Sequence, residues 1–130
     1  MTHHREPIDA PGAPAAVGPY VHAVRAGNLV FCSGQLSLDP SSGELRGETF
    51  AEQARGCLDN LRAVAEAAGA TLGDAVRITV YLTDMAAFAE VNEVYAEYFP
   101  DAPPARVAIG VAALPKGGKV EMDAVLALES

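Results

Sequence analysis

Within residues 74–84, DAVRITVYLTD, apolar and polar residues alternate from Val76 to Thr83. Val76, Ile78, Val80 and Leu82 share one side; Arg77, Thr79, Tyr81 and Thr83 share the other. A period of two predicts a strand with one face against a core. The last part of the chain, about residues 119–128, repeats the pattern, with Val120, Met122, Ala124, Leu126 and Leu128 opposite Glu121, Asp123, Val125 and Ala127. Before it, about residues 105–112 set Val107, Ile109 and Val111 against Arg106, Ala108 and Gly110. A Pro/Gly-rich turn, LPKGGK, joins these last two strands and reads as a hairpin connection. Near the N-terminus, two shorter strands flank Gly27-Asn28, a hairpin signal.

Two stretches follow the helical period instead. Phe50, Ala54, Cys57, Leu58, Leu61, Val64, Ala65 and Ala68 recur at helical spacing. Thr49 with Glu52 three residues on forms a capping box ahead of them, and Gly69 marks the end. A second helix, about residues 86–99, carries the stripe Phe88, Val91, Tyr95, Tyr98 and Phe99 until Pro100 and Pro103-Pro104 stop it. The predicted order is β-β-α-β-α-β-β, an α/β (α+β) class with a mixed sheet and two helices packed on one face. Residues 1–18, rich in Pro, Gly and Ala, read as a flexible N-terminal arm, and residues 19–130 as a single domain.

In this layout the greasier strand faces take the helices. Arg106 and Glu121 then fall on the opposite face, which also carries Thr79, Tyr81, Val125 and Ala127. A half-apolar sheet face without helices is covered by another subunit, so a homo-oligomer is expected, with Arg106 and Glu121 lining a cleft near the interface.

Composition narrows the function. The formal net charge of −8 disfavours nucleic acid and anionic membrane as partners. Cys32 and Cys57 are too few for a disulfide framework and read as buried free thiols. His3, His4 and His22 form no metal-ligand spacing with them, so neither metal nor organic cofactor is expected. No apolar run reaches membrane-spanning length and no secretory signal opens the chain, which makes the cytoplasm the expected location.

Arg106 offers an always-charged donor fork matched to a carboxylate, or an intersubunit salt bridge to Glu121 or Asp123. Glu121, in a half-apolar cleft, gains a raised pKa suited to holding or activating water, or else pairs with a cation. Tyr20 follows Gly18-Pro19 at the mouth of the first strand, either as a hydroxyl donor to a ligand or as core packing. Ser33-Gly34-Gln35 either presents backbone N–H groups to an anion or makes a simple turn. Asn92 sits within the stripe of the second helix as a hydrogen-bonded brace or a cleft residue. With His22 as the one histidine outside the tail, a Ser-His-Asp set is absent.

Residues 103–122, PPARVAIGVAALPKGGKVEM, resemble the C-terminal signature of the reactive intermediate deaminase family, the RidA or YjgF type. The blocks GPY (18–20), SGQ (33–35), LDNL (58–61) and FAEVNEVYAEYF (88–99) agree with it in order. The resemblance implies a chorismate-mutase-like fold and a homotrimer with three clefts between subunits. It also implies hydrolysis of 2-imino acids or their enamine tautomers to 2-keto acids and ammonia. By position, Arg106 matches the family's carboxylate-binding arginine and Glu121 the glutamate near the attacking water. Tyr20, Ser33 and Asn92 match cleft residues. Ala108 stands where many members carry cysteine, and its backbone is placed in the substrate pocket. The alternatives on the same fold are a trimeric small-carboxylate binder, a chaperone-like or regulatory protein, and a pathway-specific deaminase of the aminomuconate type.

Overall fold

The computed structural model describes residues 4–129; residues 1–3, His3 among them, and residue 130 lie outside the described residues. Its elements are β1 (Glu6–Ile8), β2 (Ala23–Ala26), β3 (Leu29–Leu36), α1 (Phe50–Ala67), β4 (Ala75–Leu82), α2 (Phe88–Tyr98), β5 (Ala105–Gly110) and β6 (Val120–Ala127). The strands form one sheet in the order β1-β2-β3-β6-β4-β5, and β4–β5 is its parallel pair. Both helices lie on one face, as the alternation predicted.

The core follows from the periodicities. Val30, Ile78, Val80, Leu82, Met122, Ala124 and Leu126 turn from the sheet toward Ala54, Cys57, Leu58, Leu61, Val64 and Ala65 of α1. Each fully buried Leu or Ile there contributes about 1.5–3 kcal/mol relative to exposure. The capping box forms: Thr49 Oγ1 accepts from the Glu52 N–H, and Glu52 Oε1 accepts from the Thr49 N–H. Gly69, at φ 78°, takes the left-handed conformation that lets the chain leave the helix.

Four expectations are corrected. Within residues 1–18, read as a flexible arm, β1 pairs with β2 (Glu6 with Arg25, Ile8 with Ala23), and Ala10 and Ala13 are buried. Three residues are too few for alternation to show, and Pro7 is tolerated because β1 is an edge strand. Second, Val76 is 45% exposed, because a register shift between Ala75 and Arg77 turns Ala75 inward instead. Third, β5 and β6 are not a hairpin, since β4 lies between them. The α2 crossover sets β5 parallel to β4 on the outer edge, and a one-turn 3-10 helix, Pro115–Gly117, lies on the way to β6.

The fourth correction concerns the faces of β5. The register pairs Arg106 with Ile78 and Ala108 with Val80, both buried beneath the helices. Arg106 and Ala108 therefore face the helical layer, while Val107 and Ile109 face away from it and remain 43% and 42% exposed. Relative apolarity misassigned the faces because the helix-free face is itself apolar: Phe31 of β3 and Val125 of β6 lie on it as well.

Candidate active site

Glu121 projects from β6 on the helix-free face, in register with Tyr81 of β4. Helix α1 fixes the start of its strand. The Lys119 N–H donates to Gln53 Oε1 at 2.8 Å, and Cys57 Sγ donates to the Val120 carbonyl at 3.3 Å. On the other side, the β3–β6 register shifts between Cys32 and Gln35, so Ser33-Gly34 bulges beside Glu121. The bulge is anchored: Ser33 Oγ donates to Val21 O at 2.6 Å, and the Ser33 N–H donates to His22 O at 2.9 Å. Asn60 Nδ2 donates to the carbonyls of Leu36 and Leu38, each at 3.0 Å, holding the end of β3.

A groove of about 740 Å³ opens over these residues, lined by Tyr20, Ser33, Gly34, Leu36, Lys116 and Glu121 among others. Tyr20 is half exposed at its rim. The Glu121 carboxylate has no hydrogen-bond or ion-pair partner among the described residues. Burial, and then the nearby Asp123 charge, raise its pKa above the ordinary carboxylate value. Asp123 is engaged elsewhere, accepting from Tyr81 Oη at 2.9 Å. Cys32 is buried in the core, and burial and then Asp123 push its thiol up to about 12.

Glycine at position 34 is a steric requirement of this arrangement. A Cβ built there would run into the Glu121 carboxylate. Gly34→Ala is therefore expected to displace the carboxylate and lower turnover about a hundredfold while thermal unfolding stays cooperative. Unchanged kcat in the folded variant would contradict this placement.

Arg106 lies on the edge strand β5, on the opposite face of the sheet and under α2. Its Nη1 donates to Asn92 Oδ1 at 2.6 Å, and its guanidinium carbon sits 5.1 Å from the Phe88 ring centre and 5.0 Å from that of Tyr95. Those rings and one amide oxygen hold the cation in a weakly polar cradle. Arg106 has no carboxylate partner among the described residues. A depression of about 310 Å³, lined by Asn92, Tyr95, Phe99, Pro103, Pro104 and Arg106 among others, opens beside it.

The candidate residues thus fall into two groups. Tyr20, Ser33 and Glu121 share one groove; Arg106, Asn92 and Ala108 gather at the β5 edge. Arg106 and Glu121 stand on opposite sheet faces with β4 between their strands, so one protomer does not bring them together. Asn92 is exposed rather than buried in its stripe, and its role as a brace is directed at Arg106. Ala108 packs against the core on the helix side, not in the Glu121 groove. Sequence reasoning missed Lys116 in the groove lining and the buried amides Gln53 and Asn60. Only the short spacing of Lys116 from Glu121 hinted at the first, and nothing in a helical polar residue announces the others.

A mixed sheet covered on one face by two helices, with an unpaired carboxylate in a groove on the other, defines a chorismate-mutase-like α+β domain. The chain belongs to the RidA/YjgF family, whose model, described as Endoribonuclease L-PSP, matches residues 10–128. It is 50% identical over 123 residues to the RutC family protein y4sK of Sinorhizobium fredii, covering 95% of this chain and 98% of that one. It is 46% identical over 121 residues to the 2-iminobutanoate/2-iminopropanoate deaminase of Bos taurus, covering 93% of this chain and 88% of that one. The crystal structure of RidA from the Antarctic bacterium Psychrobacter sp. PAMC 21119 superposes with a TM-score of 0.91 at 48% identity, over 95% of this chain and 99% of that one.

Proposed function

We propose that the protein hydrolyses reactive 2-imino acids or their enamine tautomers, such as 2-iminobutanoate and 2-iminopropanoate, to 2-keto acids and ammonia. The observation that carries this reading is the unpaired, half-buried Glu121 carboxylate in its groove. A protein that merely bound small acids would gain only repulsion from it. The bovine relative named for this reaction supports the same reading.

The functional unit in this reading is a homotrimer with three clefts between subunits. The exposed apolar sheet face, with Phe31, Val107 and Ile109, supplies the surface that such packing buries. Each cleft unites Arg106 and Asn92 of one protomer with Tyr20, Ser33 and Glu121 of its neighbour. Arg106 grips the substrate carboxylate and fixes its orientation. A water held by Glu121 attacks C2 of the protonated imine. The water oxygen bonds to carbon, the C=N π electrons move to nitrogen, and Glu121 accepts the proton released from the water. Glu121 then passes a proton to nitrogen and takes one from the new hydroxyl, the C–N bond breaks, and ammonia leaves the keto acid. Binding of nucleic acid in the same groove is opposed by the net charge of −8. His22, with both ring nitrogens engaged, is not free to act as a general acid or base there.

The direct test supplies 2-iminobutanoate in situ from an amino-acid oxidase and follows keto-acid release. Acceleration by added protein is expected; equal rates with and without it contradict the reading.

The raised pKa of Glu121 gives a pH prediction. The base works as a carboxylate, so the enzyme-dependent rate falls as pH drops through that pKa, and does so at a higher pH than for an ordinary glutamate. Asp123→Asn removes the neighbouring charge while its amide oxygen still accepts from Tyr81. The acid limb of kcat/KM is expected to shift to lower pH. An unmoved limb, or one shifted upward, means that another group titrates in it.

A further inference from the structure

His22 is the one buried histidine among the described residues, 4% exposed, and both of its ring nitrogens are used by the backbone of the N-terminal segment. The Ala10 N–H donates to Nδ1 at 3.0 Å, and Nε2 donates to the Pro14 carbonyl at 2.7 Å. These bonds fix the tautomer, with the proton on Nε2. Asp9, 3.4 Å from Nδ1, is the charged group facing the ring, on a side chain that is 90% exposed.

What the histidine holds bears on the groove. Pro14, Ala15, Val17 and Tyr20 line the same groove as Glu121. The strap that carries them, residues 14–20, is tied at one end by His22 to Pro14. At the other end Ser33 Oγ holds the Val21 carbonyl. Between the ties it has little of its own: Val17 is 83% exposed, and Gly18 sits at φ 130°, a conformation open to glycine. With the first tie cut, the strap's N-terminal end keeps only the packing of Ala10, Ala13 and Pro14, and a looser wall must be ordered each time a ligand binds.

We propose that His22 is a positioning residue for substrate binding, acting as a two-point latch that holds the strap as the groove wall facing Glu121. This rests on the reading that the groove takes the imino acid. His22 touches no reacting atom, so its loss shows in KM rather than kcat.

The test compares His22→Leu with His22→Gln, using 2-iminobutanoate turnover and binding of 2-oxobutanoate as the probe. Leucine fills the space but makes neither hydrogen bond; KM and the probe's Kd are expected to rise about tenfold with kcat within about twofold, the loss of one or two modest bonds. Glutamine offers one acceptor and one donor on a chain of similar reach, and is expected to restore most of the affinity. Hydrogen exchange at residues 10–17 should quicken in the leucine variant and not in the glutamine variant. If the leucine variant does not fold, His22→Asn, too short to span both partners, takes its place with an expected KM rise of about threefold to tenfold. Wild-type KM in a folded leucine or asparagine variant overturns the proposal, as does a fall in kcat without a rise in KM. Keto-acid release from 2-iminobutanoate with and without the wild-type protein separates the two ideas: if the protein does not speed it, the deaminase reading itself fails. If it does while the latch variants behave as wild type, only the latch fails.

Discussion

Glu121→Gln is expected to lower turnover of 2-iminobutanoate by about a hundredfold to ten-thousandfold, the span of general acid–base catalysis, while 2-oxobutanoate still binds. Glutamine keeps the size and one acceptor oxygen but cannot take a proton from water. Affinity for the keto acid should hold or improve, because the carboxylate that repels it is gone. The fold should tolerate the change well: Glu121 makes no hydrogen bond or ion pair among the described residues, and burial already disfavours its charged form. Enzyme kinetics and calorimetry on one preparation check both halves. Loss of binding together with turnover would make Glu121 a structural residue.

Arg106→Ala is expected to act through affinity, raising KM about a hundredfold or more. Truncating one partner of a charge-assisted hydrogen-bonded pair costs about 2–5 kcal/mol. The present contacts of Arg106 are one amide oxygen and two aromatic rings, so its removal leaves no buried charge unpaired within the protomer. Arg106→Lys should recover little, because a lysine cannot reproduce the planar two-point grip. The oligomer should persist in both variants, as judged by light scattering. If the alanine variant dissociates, the arginine is an interface residue instead.

The parts of this structure written in local pattern were legible from the sequence. The capping box at Thr49 and Glu52, the buried stripe of α1 and the alternation along β6 each depend on neighbours within a turn or two of chain. Partnerships between distant strands were not legible. The insertion of β4 between β5 and β6 left no local trace, and the turn-like LPKGGK imitated a hairpin. The faces of β5 were inverted because Val107 and Ile109 are apolar for a reason other than the core: they lie on a sheet face the helices do not cover. Arg106 and Glu121 were singled out by residue type and by resemblance, yet sequence put them on one face where the fold puts them on two. The latch at His22 was invisible because its partners are backbone groups, which every residue carries.

That separation of Arg106 from Glu121 makes the intersubunit cleft the central claim, and subunit mixing tests it most directly. Arg106→Ala and Glu121→Gln protein, each weakly active alone at substrate concentrations below the wild-type KM, are unfolded together in equal amounts, refolded and assayed at those concentrations. If one protomer supplies the arginine and its neighbour the glutamate, about a quarter of the clefts in randomly mixed trimers carry both native groups, and about that share of wild-type activity returns. No recovery from mixed trimers of confirmed composition contradicts a cleft shared between protomers.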